Sequence, residues 1–129
     1  MTYEQYDFQH FLDAQAQMYD KALQELQAGK KEGHWIWFIF PQTPKPNMGR
    51  VAKHFVLSSK EEAAAYLSHP ILGPRLIACT QAVLRHKEQP LEKIFGSELD
   101  ARKFISCMHL FKHVGGEDSA FKEALAQFL

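Results

Sequence analysis

A chain of 129 residues fits one domain, since domains cluster near ~100–150 residues and this length supports a core of its own. Hydrophobic residues at 46% and charged residues at 23% exclude a disordered chain, and 15 basic against 15 acidic side chains leave no net charge to draw the protein to nucleic acid. The longest apolar run, Trp35 to Phe40, is far short of the ~20 residues that cross a bilayer.

The opening MTYEQYD is acidic and aromatic rather than a secretory leader, so a cytoplasmic protein is expected. From Asp7 onward, Phe8, Leu12, Tyr19 and Leu26, flanked by Phe11, Met18, Ala22 and Leu23, recur at three- and four-residue intervals. That stripe predicts a helix over 7–28, capped by Asp7 and released at Gly29. The block Trp35 to Phe40 suits a buried strand or a buried helical turn by periodicity alone, but no other segment alternates with period two. A lone strand would leave its backbone groups unpaired, so the reading is a short helix stopped at Pro41.

Residues 43–50, TPKPNMGR, carry turn chemistry. Ser58-Ser59-Lys60-Glu61-Glu62 offers a capping box in two registers and opens a helix ended by His69-Pro70. A further helix is expected near 74–87, then a short turn from Leu91 to Phe95 closed by Gly96. Ser97 to Asp100 opens a longer helix with Phe104, Met108 and Phe111 on its buried face, stopped at Gly115-Gly116. The last helix, capped by Asp118 or Ser119, carries Phe121, Leu125 and Phe128. The expected fold is an irregular all-α single domain, residues 1–129, of about six helices.

No glycine-rich phosphate loop and no nucleophile elbow is present, and no cofactor motif is read. Cys79 and Cys107 fit reduced, buried small hydrophobes. His109 and His113 share a helix face at ligand spacing, but the glutamate of H-E-x-x-H is missing and imidazoles near a helix C-terminus cap carbonyls, so no metal site is assigned.

What remains is a set of polar residues interrupting apolar stretches: Gln15, Tyr19, His34, Gln42, His69, Arg75, Asp100 and Lys103. Each has a structural reading. His69 can cap the next helix, Asp100 can reach back in a capping box, and Lys103 can be a plain surface partner of Asp100. Arg75 opposes the dipole of its own helix start, which an anion nearby would rationalise. As a set they suggest a site in which Trp35 or Trp37 stacks on a planar ligand and Arg75 with Lys103 meets its charge.

The pieces FLDAQAQMYDKALQELQAGKK, HWIWFIFPQ, EEAAAYLSHPILGPRL and IFGSELDARKFISCMHLF resemble the bacterial family known as domain of unknown function 1810. The resemblance runs from about Phe8 to Phe111 and implies a small multi-helical cytoplasmic protein of unestablished activity. It implies recurrent polar positions at the same eight residues. The sequence departs from the family after FPQ, where Thr43 to Gly49 replaces a Leu-x-Gly-Leu-Gly-x-Ser loop, and at His109, where a small polar residue is expected.

Two functions of different classes follow as expectations. The first is a helical site for an anionic, nucleotide-like small molecule built from the 34–42 run, the 69–76 turn and the 97–104 helix start. In it His34, His69 and Asp100 are the acid/base candidates, and Gln15, Tyr19, Trp35, Gln42, Arg75 and Lys103 are the ligand contacts. The alternative is a protein-interaction module in which the 34–42 aromatic segment docks a protein partner or a second copy of the chain. The alternative needs that segment partly exposed, whereas the aromatic run is expected to be chiefly core, with His34 and Gln42 as its functional ends.

Overall fold

The computed structural model describes residues 3–116 and 119–129. After a 3-10 turn at Tyr3–Gln5, eight α-helices follow: α1 (Gln9–Gln27), α2 (Ile36–Ile39), α3 (Arg50–His54), α4 (Lys60–Ser68), α5 (Leu72–Leu84), α6 (Leu91–Phe95), α7 (Glu98–Lys112) and α8 (Ala120–Phe128). The all-helical class is as expected, but the count of about six is corrected to eight among the described residues. Two helices make the difference: α6, expected only as a short turn over Leu91 to Phe95, and α3, which buries none of its residues and has Gly49 at its N-cap with no side-chain oxygen to announce it.

The caps explain why the longer helices begin where they do. Ser59 Oγ accepts from Glu62 N while Glu62 Oε1 accepts from Ser58 N, a reciprocal pair that satisfies two orphan donors. Ser97 Oγ accepts from Asp100 N, and Ser119 Oγ from Lys122 N. Asp118, the other candidate cap for α8, lies outside the described residues. Asp7 Oδ1 accepts from Gln9 N, and Gly29 at φ 75° releases α1 through the left-handed conformation that glycine adopts without penalty. The helix expected over 74–87 is α5, starting two residues earlier. Its first turn lies so close to α4 that a Cβ on Gly73 would sit 1.9 Å from the Leu67 carbonyl oxygen.

The buried side chains form one continuous cluster, with Trp35, Phe40, Tyr66, Phe104 and Phe111 among the largest members. In this core α1 packs on α5, α4 on α5, and α7 on α6 and α8, while α2 bridges α1 and α7. Cys79 and Cys107 are free thiols inside the cluster, and burial pushes the Cys79 thiol up to about 12. Among the described residues no helix is long and apolar enough to cross a membrane.

Between α2 and α4 the chain makes an excursion closed at its base, where Gln42 pairs with Val56 in an isolated parallel bridge and Leu57 N donates to Gln42 O at 2.9 Å. This excursion carries the turn segment, with Asn47 in the left-handed conformation, and then α3. It overhangs the outer face of α7 and forms one wall of a cavity.

Candidate functional site

Six of the eight polar residues singled out from the sequence gather in two places on either side of α2. The first is a closed knot between α1, α4 and α5. Gln15, only 2% exposed, donates through Nε2 to the Phe38 carbonyl at 2.7 Å and to the Tyr66 hydroxyl at 3.2 Å, and its Oε1 accepts from Arg75 Nη1 at 3.3 Å. The Arg75 guanidinium lies 4.6 Å over the Tyr19 ring. No carboxylate partners Arg75 among the described residues. Burial pushes the Tyr66 hydroxyl well above its usual range, and Tyr19 is also raised by burial, then by Cys79, with Arg75 opposing. This network holds α2 against α1 and α5.

The second place lies where α2 meets α7. Trp35 is fully buried, and its indole N–H donates to Glu25 Oε1 at 2.9 Å. The same oxygen accepts from Glu32 N at 2.7 Å and Gly33 N at 2.9 Å, whereas Glu25 Oε2 is buried without a partner. Burial pushes the Glu25 carboxyl up, but the Gly33, Glu32 and Trp35 N–H donors together with Lys21 outweigh it, so the group titrates below the ordinary carboxylate range. Lys31, almost wholly buried, lies 5.0 Å over Trp35, donates to the Gly33 carbonyl at 2.6 Å and pairs with Asp100 Oδ2 at 2.8 Å. Asp100 Oδ1 pairs at 3.4 Å with Lys103, whose ammonium lies 5.3 Å over Trp37. Asp100 thus joins both tryptophans through two lysines, instead of closing a capping box with Ser97.

Trp37 is the half-buried member of an aromatic run that is otherwise core, and it opens onto the cavity under the 43–52 excursion. That cavity holds about 610 Å³ between Trp37, Gln42 and the excursion on one side and Leu99, Arg102, Lys103 and Ser106 of α7 on the other. Four cations line it, Lys45, Arg50, Arg102 and Lys103, and no carboxylate is among the lining residues, although Arg102 pairs with Glu98 and Lys103 with Asp100 just outside it. Gln42, 5% exposed, accepts from Lys45 Nζ at 3.2 Å, and Lys45 also donates to Ser106 Oγ at 2.8 Å. The walls are chiefly apolar and include the exposed side chains of Leu99 and Val51.

The structure therefore brings Gln42 and Lys103 to one cavity, with Asp100 behind Lys103. It brings Gln15, Tyr19 and Arg75 together elsewhere. His69 is in neither group: its Nδ1 accepts from Ile71 N at 3.1 Å and Leu72 N at 3.2 Å, which caps α5, and burial lowers its pKa. His34 is exposed, with no hydrogen bond or ion pair among the described residues. Glu25, Lys31, Lys45, Arg50 and Ser106 were not foreseen. Glu25 and Lys31 are charged residues near the hydrophobic stripe of α1, and their burial was the missed signal. Lys45 and Arg50 lie in a segment whose composition speaks only of turns.

A family model described as Protein of unknown function (DUF1810) matches residues 5–129. The chain belongs to that family. A solved structure of similar fold, that of the conserved hypothetical protein Rv1873 from Mycobacterium tuberculosis, is 41% identical and superposes with a TM-score of 0.89 over 95% of this chain and 87% of that one. No curated protein matches the chain.

Proposed function

We propose that the protein binds an anionic, nucleotide-like small molecule in the cavity beside Trp37. The observation that carries this reading is the lining: four cations and no carboxylate around an aromatic face, in a chain whose total charge is zero. A planar ring stacked on Trp37 gains dispersion and quadrupole attraction, and Lys103, held 5.3 Å from that ring, stands ready to meet a phosphate or carboxylate attached to it. Arg50 offers a bidentate fork to the same charge, and Arg102, which pairs with Glu98 across one helical turn, would have to exchange that exposed partner to join it. Of the three acid/base candidates, Asp100 is the one whose ion pair reaches a cation of this cavity. Turnover at the site would therefore run through Asp100 with Lys103. Free buried thiols fit a reducing bacterial cytoplasm as the protein's setting.

The test is a thermal-shift panel of nucleotides, dinucleotides, ADP-ribose and phosphorylated metabolites against the wild type and four variants. A ligand at ~100 times its Kd adds about 2.7 kcal/mol, which raises the melting temperature by several degrees in a domain of this size. The shift should disappear in Trp37→Ala and Lys103→Ala and survive in His34→Ala and Arg75→Ala, which lie outside the cavity. A panel in which nothing shifts the wild type, or in which the cavity variants respond like the wild type, overturns the reading.

A further inference from the structure

The cavity does not end at Lys45. On the far side of the Lys45–Ser106 contact a second hollow of about 500 Å³ continues along α7, lined by Lys45, Lys60, His109 and His113 with the hydroxyls of Ser59 and Ser106. No carboxylate lines it either. Lys45 and Ser106 belong to both hollows, so the two are consecutive stretches of one strip. Along it Lys103, Ser106 and His109 of α7, with Leu110 beside them and His113 at the helix's C-cap, follow one helix face at spacings of three and four residues. Ten residues separate Lys103 from His113, which at 1.5 Å per residue makes the strip about 15 Å long.

Charge is concentrated here beyond what composition requires. Lys45, Arg50, Lys60, Arg102 and Lys103 are five of the chain's 15 Lys and Arg residues, and two of its seven histidines join them. Lys45, at the junction, is held by two neutral oxygens, Gln42 Oε1 and Ser106 Oγ, and has no carboxylate partner among the described residues. His113 registers the same field: its pKa is lowered by slight desolvation and then by Lys60, Lys112, His109 and Lys122.

Resting on the proposed site at Trp37, we infer that its ligand is extended: a nucleoside carrying a polyphosphate tail, with the base on Trp37 and the tail laid along α7 past Lys45 toward Lys60 and His113. A single strand of nucleic acid would use the same charges, but it needs successive aromatic platforms for successive bases. Trp37 is the one tryptophan, tyrosine or phenylalanine among the residues lining either hollow.

The experiment is calorimetric titration at low salt with adenosine monophosphate, adenosine triphosphate and an oligothymidylate of about ten nucleotides, on the wild type and a Lys60→Ala/His113→Ala double variant. Both substitutions are at exposed positions, and circular dichroism checks that the variant is folded. The triphosphate should bind the wild type at least tenfold more tightly than the monophosphate, and the double variant should reduce that ratio to within about twofold, since each tenfold step is ~1.4 kcal/mol of contact energy. Equal affinities in the wild type, or a ratio unchanged by the double variant, overturn the extended ligand while leaving a compact nucleotide at Trp37 intact. Binding of neither nucleotide overturns both readings. An oligothymidylate that outcompetes the triphosphate overturns the inference in favour of nucleic acid.

Discussion

Two lysines lie over two tryptophans, and both pair with Asp100, yet the two contacts do different things. Lys31 over Trp35 is sealed, with 5% exposure on the lysine side chain and none on the tryptophan; Lys103 over Trp37 keeps 31% of its side chain in water and borders a cavity. The chemistry is the same, and burial separates the roles. A desolvated ammonium must be matched completely or it costs several kcal/mol, so Lys31 is fixed by Asp100, the Gly33 carbonyl and the indole face. A solvated one holds its partner weakly and can exchange it for a ligand.

Truncating the two rings should give the widest separation. Trp35→Ala removes a fully buried indole and leaves Glu25 without one of its three donors, and is expected to cost about 4 kcal/mol or more in urea denaturation. Trp37→Ala, with a half-buried ring, is expected to cost about 1–2 kcal/mol. Equal losses would erase the distinction between scaffold and site.

The lysines come next. Lys31→Met strips a nearly buried pair and is expected to cost about 3 kcal/mol, whereas Lys103→Met should cost under about 1 kcal/mol, because its contact with Asp100 is solvent-screened. A chemical denaturation series at neutral pH measures both.

A smaller effect, on the Trp35 side, is acid sensitivity. Because the folded-state pKa of Glu25 is depressed below its ordinary 4.5, the stability it contributes is present above pH 4.5 and is lost as pH falls through the folded value. Glu25→Gln should be less stable than the wild type at pH 7 and lose less stability between pH 5 and pH 3, seen as converging urea midpoints.

The smallest expected effect lies away from both tryptophans. His69 is lowered by burial, and His10 by burial and then by His54, whose tilted ring lies 4.9 Å away, with Asp7, Glu62 and Asp13 opposing. Their folded forms bind fewer protons than the unfolded chain, so stability is retained above about pH 6.5 and declines as pH falls through that value. Protonating His69 Nδ1 also removes the acceptor for Ile71 N and Leu72 N. A His10→Gln/His69→Asn variant should show a flatter urea midpoint between pH 7.5 and pH 5.5.

Local signals made most of the architecture readable. Ser59, Ser97 and Ser119 are caps where their types suggested caps, and Pro41 follows a short helix because no second strand was available to pair with a first. The additional helix α3 was illegible because it has no buried stripe. It is positioned from outside, by the Gln42–Val56 bridge at its base and the tilted ring contact of His54 with His10. The candidate site was legible in part for the same reason. Gln42 and Lys103 interrupt apolar runs and so stand out, whereas Lys45, Arg50 and Ser106 meet them only because a turn-rich segment folds back over α7.

The protein has two tryptophans, so its indole N–H region in a nitrogen-correlated NMR spectrum holds two side-chain resonances, which Trp37→Phe assigns. Titration with adenosine monophosphate should move the Trp37 resonance progressively and leave that of Trp35, locked to Glu25 Oε1, where it is. A titration that moves neither resonance, or moves Trp35 and spares Trp37, would contradict the division between a sealed scaffold and an open site.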